Sequence, residues 1–176
     1  GAATHGAPDL AALPGHVRTS MERFQVPGLA LGILHKGETR EPVDADTVFP
    51  IGSASKAFTA TALCLLQHEG RLDLRAPVRD TLSSFRVQDP WVSAHLNCID
   101  LLSHRSGVTE HEMLWLWQEN SPSQETILDR LRFFPLEAPF RASFNYNNFM
   151  YLTAGLVLEA VSGQSWANVI EKRITK

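Results

Sequence analysis

Several things are scarce in this sequence, and each scarcity closes a door. Two cysteines, Cys64 and Cys98, make no disulfide framework. With no Cys-x-x-Cys pair, and no His-Glu-x-x-His spacing among the seven histidines, nothing calls for a zinc site, and no metal or cofactor is expected. Both cysteines sit in apolar stretches and read as small core residues. Positive charge is not in excess: the net charge of −3 gives no reason to expect nucleic acid or an anionic membrane as partner. No apolar run approaches the roughly 20 residues that cross a bilayer. No basic n-region followed by an apolar h-region opens the chain, so a signal peptide is either already removed or was never there. Periplasmic, secreted and cytoplasmic locations all remain open. Internal repeats and low-complexity tracts are also lacking.

What remains is ordinary globular composition. With 44% hydrophobic and 20% charged residues in 176 positions, the chain can bury a sizeable core. "GAATHGAP" (1–8) reads as a flexible leader and 9–176 as one domain. Residues 9–24 predict a helix ended by "QVPG". "LALGIL" (Leu29 to Leu34) is the best strand, closed by a turn at 35–37. "ETREPVDAD" (38–46) is polar and turn-rich, and "TVFPIG" (47–52) is extended. A helix follows from Ser53 to Glu69, stopped by Gly70. Residues 99–140 read as short helices and loops. Further helices are expected from about Asn148 to Val161, stopped at Gly163, and over 165–174. One strong strand does not make a sheet, because its backbone donors and acceptors need partners. Those partners are either missing or supplied by another chain.

"FPIGSASKAFTATALCLL" (Phe49 to Leu66) contains the first oddity. Ser53 is a good N-cap, and a capping box would place Glu or Gln three residues later. Lys56 stands there instead, a cation beside the positive end of a helix dipole, at a cost of about 0.3–1 kcal/mol. Positions i and i+3 share a helix face, so the amine lies over the serine hydroxyl. An amine whose charged form is disfavoured there can pass protons, while backbone N–H groups at a helix start can hold an oxyanion. That is the physics of an activated serine. The bland reading is a capping serine with a solvated lysine. Chance alone gives about 0.3 Ser-x-x-Lys matches from 13 serines and 4 lysines, so the motif by itself is weak.

The second oddity is "NYNNF" (Asn145 to Phe149) at the start of an apolar helix. A Tyr-x-Asn match is expected by chance only about 0.07 times. Tyr146 beside a lysine can act as a general base, and the Asn148 amide can steady a lysine or hold a carbonyl. The alternative is that Asn148 simply caps the helix, with a loop tyrosine beside it.

"SASK" followed about ninety residues later by "YNN" resembles the Ser-x-x-Lys and Tyr-x-Asn motifs of the serine β-lactamase and penicillin-binding-protein superfamily. The match is nearest its class C-like branch, with family VIII carboxylesterases and D-aminopeptidases. "VPGLALGIL", "IDLLSHRSGV" and "YNNFMYLTAGLVLEAVSGQSW" look like that branch in the expected order. The resemblance implies an α+β fold of the β-lactamase/transpeptidase type, an antiparallel sheet flanked by helices plus a helical subdomain. It implies Ser53 as acylated nucleophile, Lys56 and Tyr146 as the proton-transfer pair, Asn148 as orienter of Lys56 and the substrate carbonyl, and the Ser53 N–H as one oxyanion donor. "SHRSG" (Ser103 to Gly107) looks like the family's structural loop, with His104 a packed rather than catalytic residue.

Two departures stand out. The family's third motif, a Lys- or His-led triplet ending in Gly on a later strand, is absent, and a strand expected after "LGILHKG" is not visible. Several sheet strands are therefore expected to be missing from this partial chain, with a complementary chain or homo-oligomer as one source for them. The leading expectation is a serine hydrolase acting on a small-molecule ester, amide or β-lactam, weak as the isolated chain. Its rival is a non-catalytic binding or self-assembling scaffold, for which the aromatic patch "MLWLWQ" (Met113 to Gln118) would be an interface.

Overall fold

The computed structural model describes residues 11–26, 34–35, 38–39, 50–108 and 122–176. Contacts divide the chain into two units, Gly1–Pro50 and Ile51–Lys176. The aromatic patch 113–118, most of "LALGIL" and residues 47–49 lie outside the described residues.

In the first unit, α1 spans Leu13–Phe24, starting later than the sequence pattern places it. Pro14 fits its first turn, where a missing N–H leaves no bond unmade. Leu13, Val17 and Met21 form a half-buried stripe at helical spacing. Gln25, at φ +51°, ends the helix. The strands β1 (Leu34–His35) and β2 (Glu38–Thr39) pair antiparallel, with Leu34 opposite Thr39. Glu38 and Thr39 thus belong to a strand rather than to a turn-rich stretch, because pairing satisfies backbone groups that β1 would leave open.

The second unit is helical and built around two long elements. A 3₁₀ turn, Gly52–Ala54, leads into α2, Ser55–His68. Its buried residues Thr59, Ala62, Leu63 and Leu66 recur at i, i+3, i+4 and i+7, the signature of one packed face. Ala57, Thr61 and Cys64 share the exposed face, so Cys64 is not a core residue as the apolar run had implied. Small side chains do not reveal which way a helix turns. Gly70, at φ +69°, follows α2.

Four short elements follow: α3 (Val78–Thr81), α4 (Pro90–His95), α5 (Cys98–Leu102) and α6 (Gln124–Arg130). Then come α7, Asn148–Ser162, and α8, Trp166–Arg173. Helix α7 packs on α2, α5 and α8, burying Met150, Ala154, Val157 and Leu158. Met150, Val157 and Leu158 contribute roughly 1.5–3 kcal/mol each when fully buried, and the Ala154 methyl less. Gly163, at φ +72°, stops α7, and Ser165 caps α8.

Residues 136–147 are tied to the "SHRSG" loop. Asn97 and Asp100 cap α5 reciprocally, and buried Asp100 also accepts two 2.8 Å bonds from the Arg141 guanidinium. The Arg141 N–H donates to Arg105 O at 2.9 Å, and the Glu137 N–H to Gly107 O at 2.9 Å. Gly107 has φ +73°, and a Cβ there would stand 2.2 Å from Ala138 O.

Two expectations follow. Gly107→Ala should destabilise the unit by at least about 1–2 kcal/mol from backbone handedness alone, with the clash added; urea unfolding reads the loss, and an unchanged midpoint would contradict it. Burial pushes the Cys98 thiol up to about 12, with Asp73 adding to the effect, whereas Cys64 is exposed. A thiol-reactive disulfide should therefore titrate one fast thiol in the native protein and the second only after unfolding.

Candidate active site

Ser53 lies inside the 3₁₀ turn and is not a helix cap: Ala54 precedes α2 and no side chain caps it. Its Oγ lies 2.6 Å from the Tyr146 hydroxyl and accepts a 3.1 Å bond from Lys56 Nζ. The three groups come from two places, the start of α2 and the strand-like run just before α7.

Lys56 is half-buried and also donates a short bond to Asn148 Oδ1. Its cation lies 4.8 Å from the centroid of the Tyr146 ring and 5.4 Å from that of Tyr151. Among the described residues no carboxylate pairs with it. A cation at a helix N-terminus is thus held by a serine oxygen, an amide oxygen and two aromatic faces, which attract positive charge through their quadrupoles. With Nζ donating into Oγ, the Ser53 hydroxyl still has one donor and one acceptor site to share with the tyrosine hydroxyl 2.6 Å away.

Asn148 is the first residue of α7 and not its cap. Asn147 is the cap: its Oδ1 accepts the Met150 N–H at 3.2 Å and its Nδ2 donates to Val108 O at 3.1 Å. Capping by Asn147 frees the Asn148 side chain to turn towards α2. Asn147 is fully buried and was missed in the sequence, although two adjacent asparagines before an apolar helix leave room for both a cap and a second role. Tyr151 was missed too, although it stands three residues after Asn148 on the same helix face. Its hydroxyl donates to Leu102 O at 2.9 Å. Burial pushes the Tyr151 phenol above its usual range, and the charge of neighbouring Tyr146 adds to this.

His104 is buried at φ +57°. Its Nδ1 accepts the Asn147 N–H at 3.0 Å, and its ring lies 4.5 Å from that of Tyr146. Beside Lys56 a cleft of about 270 Å³ is bounded by Thr59, Tyr151, Glu159 and Trp166, with Trp166 Nε1 donating to Thr59 Oγ1 at 2.9 Å. Among the described residues no group of three or more His, Cys, Asp or Glu could hold a metal, and no helix is long and apolar enough to cross a membrane.

A serine, a lysine and a tyrosine in mutual reach at the start of a packed helix belong to a recognisable class of fold. Residues 13–176 match the family model for Beta-lactamase, and the chain belongs to that family. Penicillin-binding protein 4 of Amycolatopsis lactamdurans is 32% identical over 146 residues, covering 83% of this chain and 38% of that protein. An unguisins hydrolase of Aspergillus campestris is 26% identical, covering 90% of this chain and 33% of that protein. Among solved structures, a D-stereospecific amidohydrolase from Streptomyces sp. superimposes with a TM-score of 0.63 at 28% identity, over 73% of this chain and 41% of that one. The chain spans about a third of the length of the curated relatives it matches.

The two asparagines separate by experiment. Asn147→Ala should lower the unfolding free energy by about 0.5–2 kcal/mol through the lost cap, whereas Asn148→Ala, which removes no cap and leaves Lys56 the Ser53 oxygen and two aromatic faces, should lower it less. Equal losses in urea titrations would remove the distinction drawn between cap and site residue.

Proposed function

We propose that this chain carries the nucleophile and proton-transfer groups of a serine hydrolase that works through an acyl-enzyme on ester, amide or β-lactam carbonyls. The 2.6 Å approach of Ser53 Oγ to the Tyr146 oxygen is the observation that supports it most. Tyr146, ionised beside the Lys56 cation, takes the Ser53 proton as Oγ attacks the carbonyl carbon. The Ser53 N–H, which meets no acceptor among the described residues, faces the oxyanion. Collapse expels the leaving group, which takes the proton back from Tyr146. Water, giving its proton to the same phenolate, then releases the acid and regenerates the serine. Asn148 holds Lys56 in place and offers its amide to the substrate.

Amidohydrolase, hydrolase and penicillin-binding protein are the names of the relatives, and all fit chemistry at a carbonyl. Within that range a carboxylesterase or peptidase-like activity is favoured over a dedicated β-lactamase. The Lys- or His-led triplet and the second oxyanion donor would come from the rest of the protein or a complementary chain, while the missing strands could also come from a homo-oligomer. One penicillin-binding-protein homologue, from Pyrococcus abyssi, is octameric. These 176 residues alone should therefore be poor catalysts, slow in acylation and in turnover alike, since one missing oxyanion donor typically costs about 10²–10³ in rate.

A fluorophosphonate probe and a fluorescent penicillin test the reading directly. Ser53→Ala should abolish labelling, and Tyr146→Phe should slow it by about 10²–10⁴. Equal labelling of Ser53→Ala would favour the scaffold alternative. Fast penicillin turnover without ester cleavage would reverse the substrate preference.

A further inference from the structure

His104 contacts the tyrosine that the proposed chemistry needs once directly and twice through the residues on either side of it. Its carbonyl oxygen accepts the Asn145 N–H at 2.8 Å. Its Nδ1 accepts the Asn147 N–H at 3.0 Å, in a buried setting. Its ring lies 4.5 Å from the Tyr146 ring, with the Tyr151 ring at 5.1 Å and Phe144 edge-on at 5.2 Å. One residue thus holds the backbone on both sides of Tyr146 and the side chain between them. The backbone of His104 adopts φ +57°, a left-handed conformation that few non-glycine residues take. Glycine would fit that turn with less strain, but it brings no ring and no acceptor.

We propose that His104 is the positioning residue for the Tyr146 hydroxyl, and that it does so only as a neutral imidazole accepting at Nδ1. This rests on the acyl-transfer reading of Ser53 and Tyr146 and names a control on the same site. A backbone N–H can donate only to an unprotonated ring nitrogen. When the imidazole gains its second proton, N–H faces N–H, the Asn147 amide loses its acceptor, and the run 145–147 must shift. A displacement of about 1 Å in a reacting group can cost on the order of 100-fold in rate.

Among the described residues, the Tyr146 and Tyr151 rings lie against the imidazole, and Lys56 lies over both of them. Along the same loop Arg105 follows His104 in sequence and donates to Arg141 O, and Asp100 pairs with Arg141. Tyr146 must also lose a proton to act, so its own titration has to be separated from that of the imidazole. The sign is fixed: protonating His104 lowers the rate, so its limb appears as pH falls.

Two variants separate the contributions. His104→Phe keeps a ring but removes the acceptor. His104→Asn places an amide oxygen near the Nδ1 position, does not titrate, and tolerates the left-handed backbone. The rate of fluorophosphonate labelling of Ser53 should fall by about 10–100-fold in His104→Phe, and His104→Asn should recover most of it. The wild-type acid limb should lose its imidazole component in His104→Asn, leaving the Tyr146 limb. Nitrogen-15 NMR of the wild-type chain gives a readout that needs no reaction: Nδ1 of His104 should resonate as an unprotonated acceptor, and its titration should move the Asn147 amide and Tyr146 ring signals together. Wild-type labelling rates in a folded His104→Phe, or an identical acid limb in His104→Asn, would overturn the proposal. An Nδ1 that carries a proton at neutral pH would do so as well. Absence of any labelling in the wild type, with the NMR coupling intact, would count against the hydrolase reading and leave the positioning role standing.

Discussion

A single ammonium group organises this structure. Lys56 occupies the place at the start of a helix where electrostatics favours an acid. It is retained there by the oxygen of Ser53 one turn back and by three partners far away in sequence: Asn148 Oδ1 and the faces of Tyr146 and Tyr151. Three of those four partners sit on α7 or in the run that enters it. The packing of α7 on α2 is therefore what makes the misplaced charge tolerable, and the charge in turn fixes how α7 must begin. Replacing the amide and the aromatic faces by aliphatic groups would leave a half-buried cation with poor partners, which is the costly case.

The rest of the second unit serves that juxtaposition. Residues 141–147 have no regular hydrogen-bonded structure of their own. They are held instead by Asp100 through Arg141, by Arg105 O and by His104. Asp100 in turn is fixed by the reciprocal cap at the start of α5. Hydrogen bonds thus run from a five-residue helix to the backbone on both sides of Tyr146, and the ring of His104 meets that of the tyrosine between them. Gly107 lets the loop approach closely enough for them to form.

How much of this could be read from the sequence depends on what each residue's role required. Helices α2, α7 and α8 were legible because apolar spacing and stop glycines are local signals, and Gly70 and Gly163 stand where the pattern placed them. Motif spacing and the family resemblance singled out Ser53, Lys56, Tyr146 and Asn148, and the side chains of these four do meet, whatever their roles. What failed were the assignments of caps and faces. Ser53 and Asn148 both looked like caps because serine and asparagine favour that position. In each case a tertiary partner drew the side chain away, and for α7 the neighbouring Asn147 took the capping role. Cys64 looked like core because a run of small apolar residues carries almost no moment to show which side is inside. The hold of His104 on Tyr146 left no local trace at all, since it joins residues more than forty positions apart.

The division of labour within the proposed site bears on what part of the reaction these residues can support. Acylation needs a nucleophile, an acceptor for its proton and a cation to keep that acceptor ionised, and all three are assembled from within residues 53–148. None of them requires a strand. Stabilising the tetrahedral intermediate calls for converging donors, of which the proposed site assigns the Ser53 N–H as one. On this reading the chemistry separates along the chain: proton transfer is set by helix–helix packing, while oxyanion stabilisation depends on a sheet edge. Because acylation and deacylation both pass through a tetrahedral intermediate, covalent capture and turnover should both depend on the α2–α7 contact for proton transfer and on whatever supplies the second donor. A site divided in this way keeps its proton-transfer geometry even where its catalytic power is incomplete.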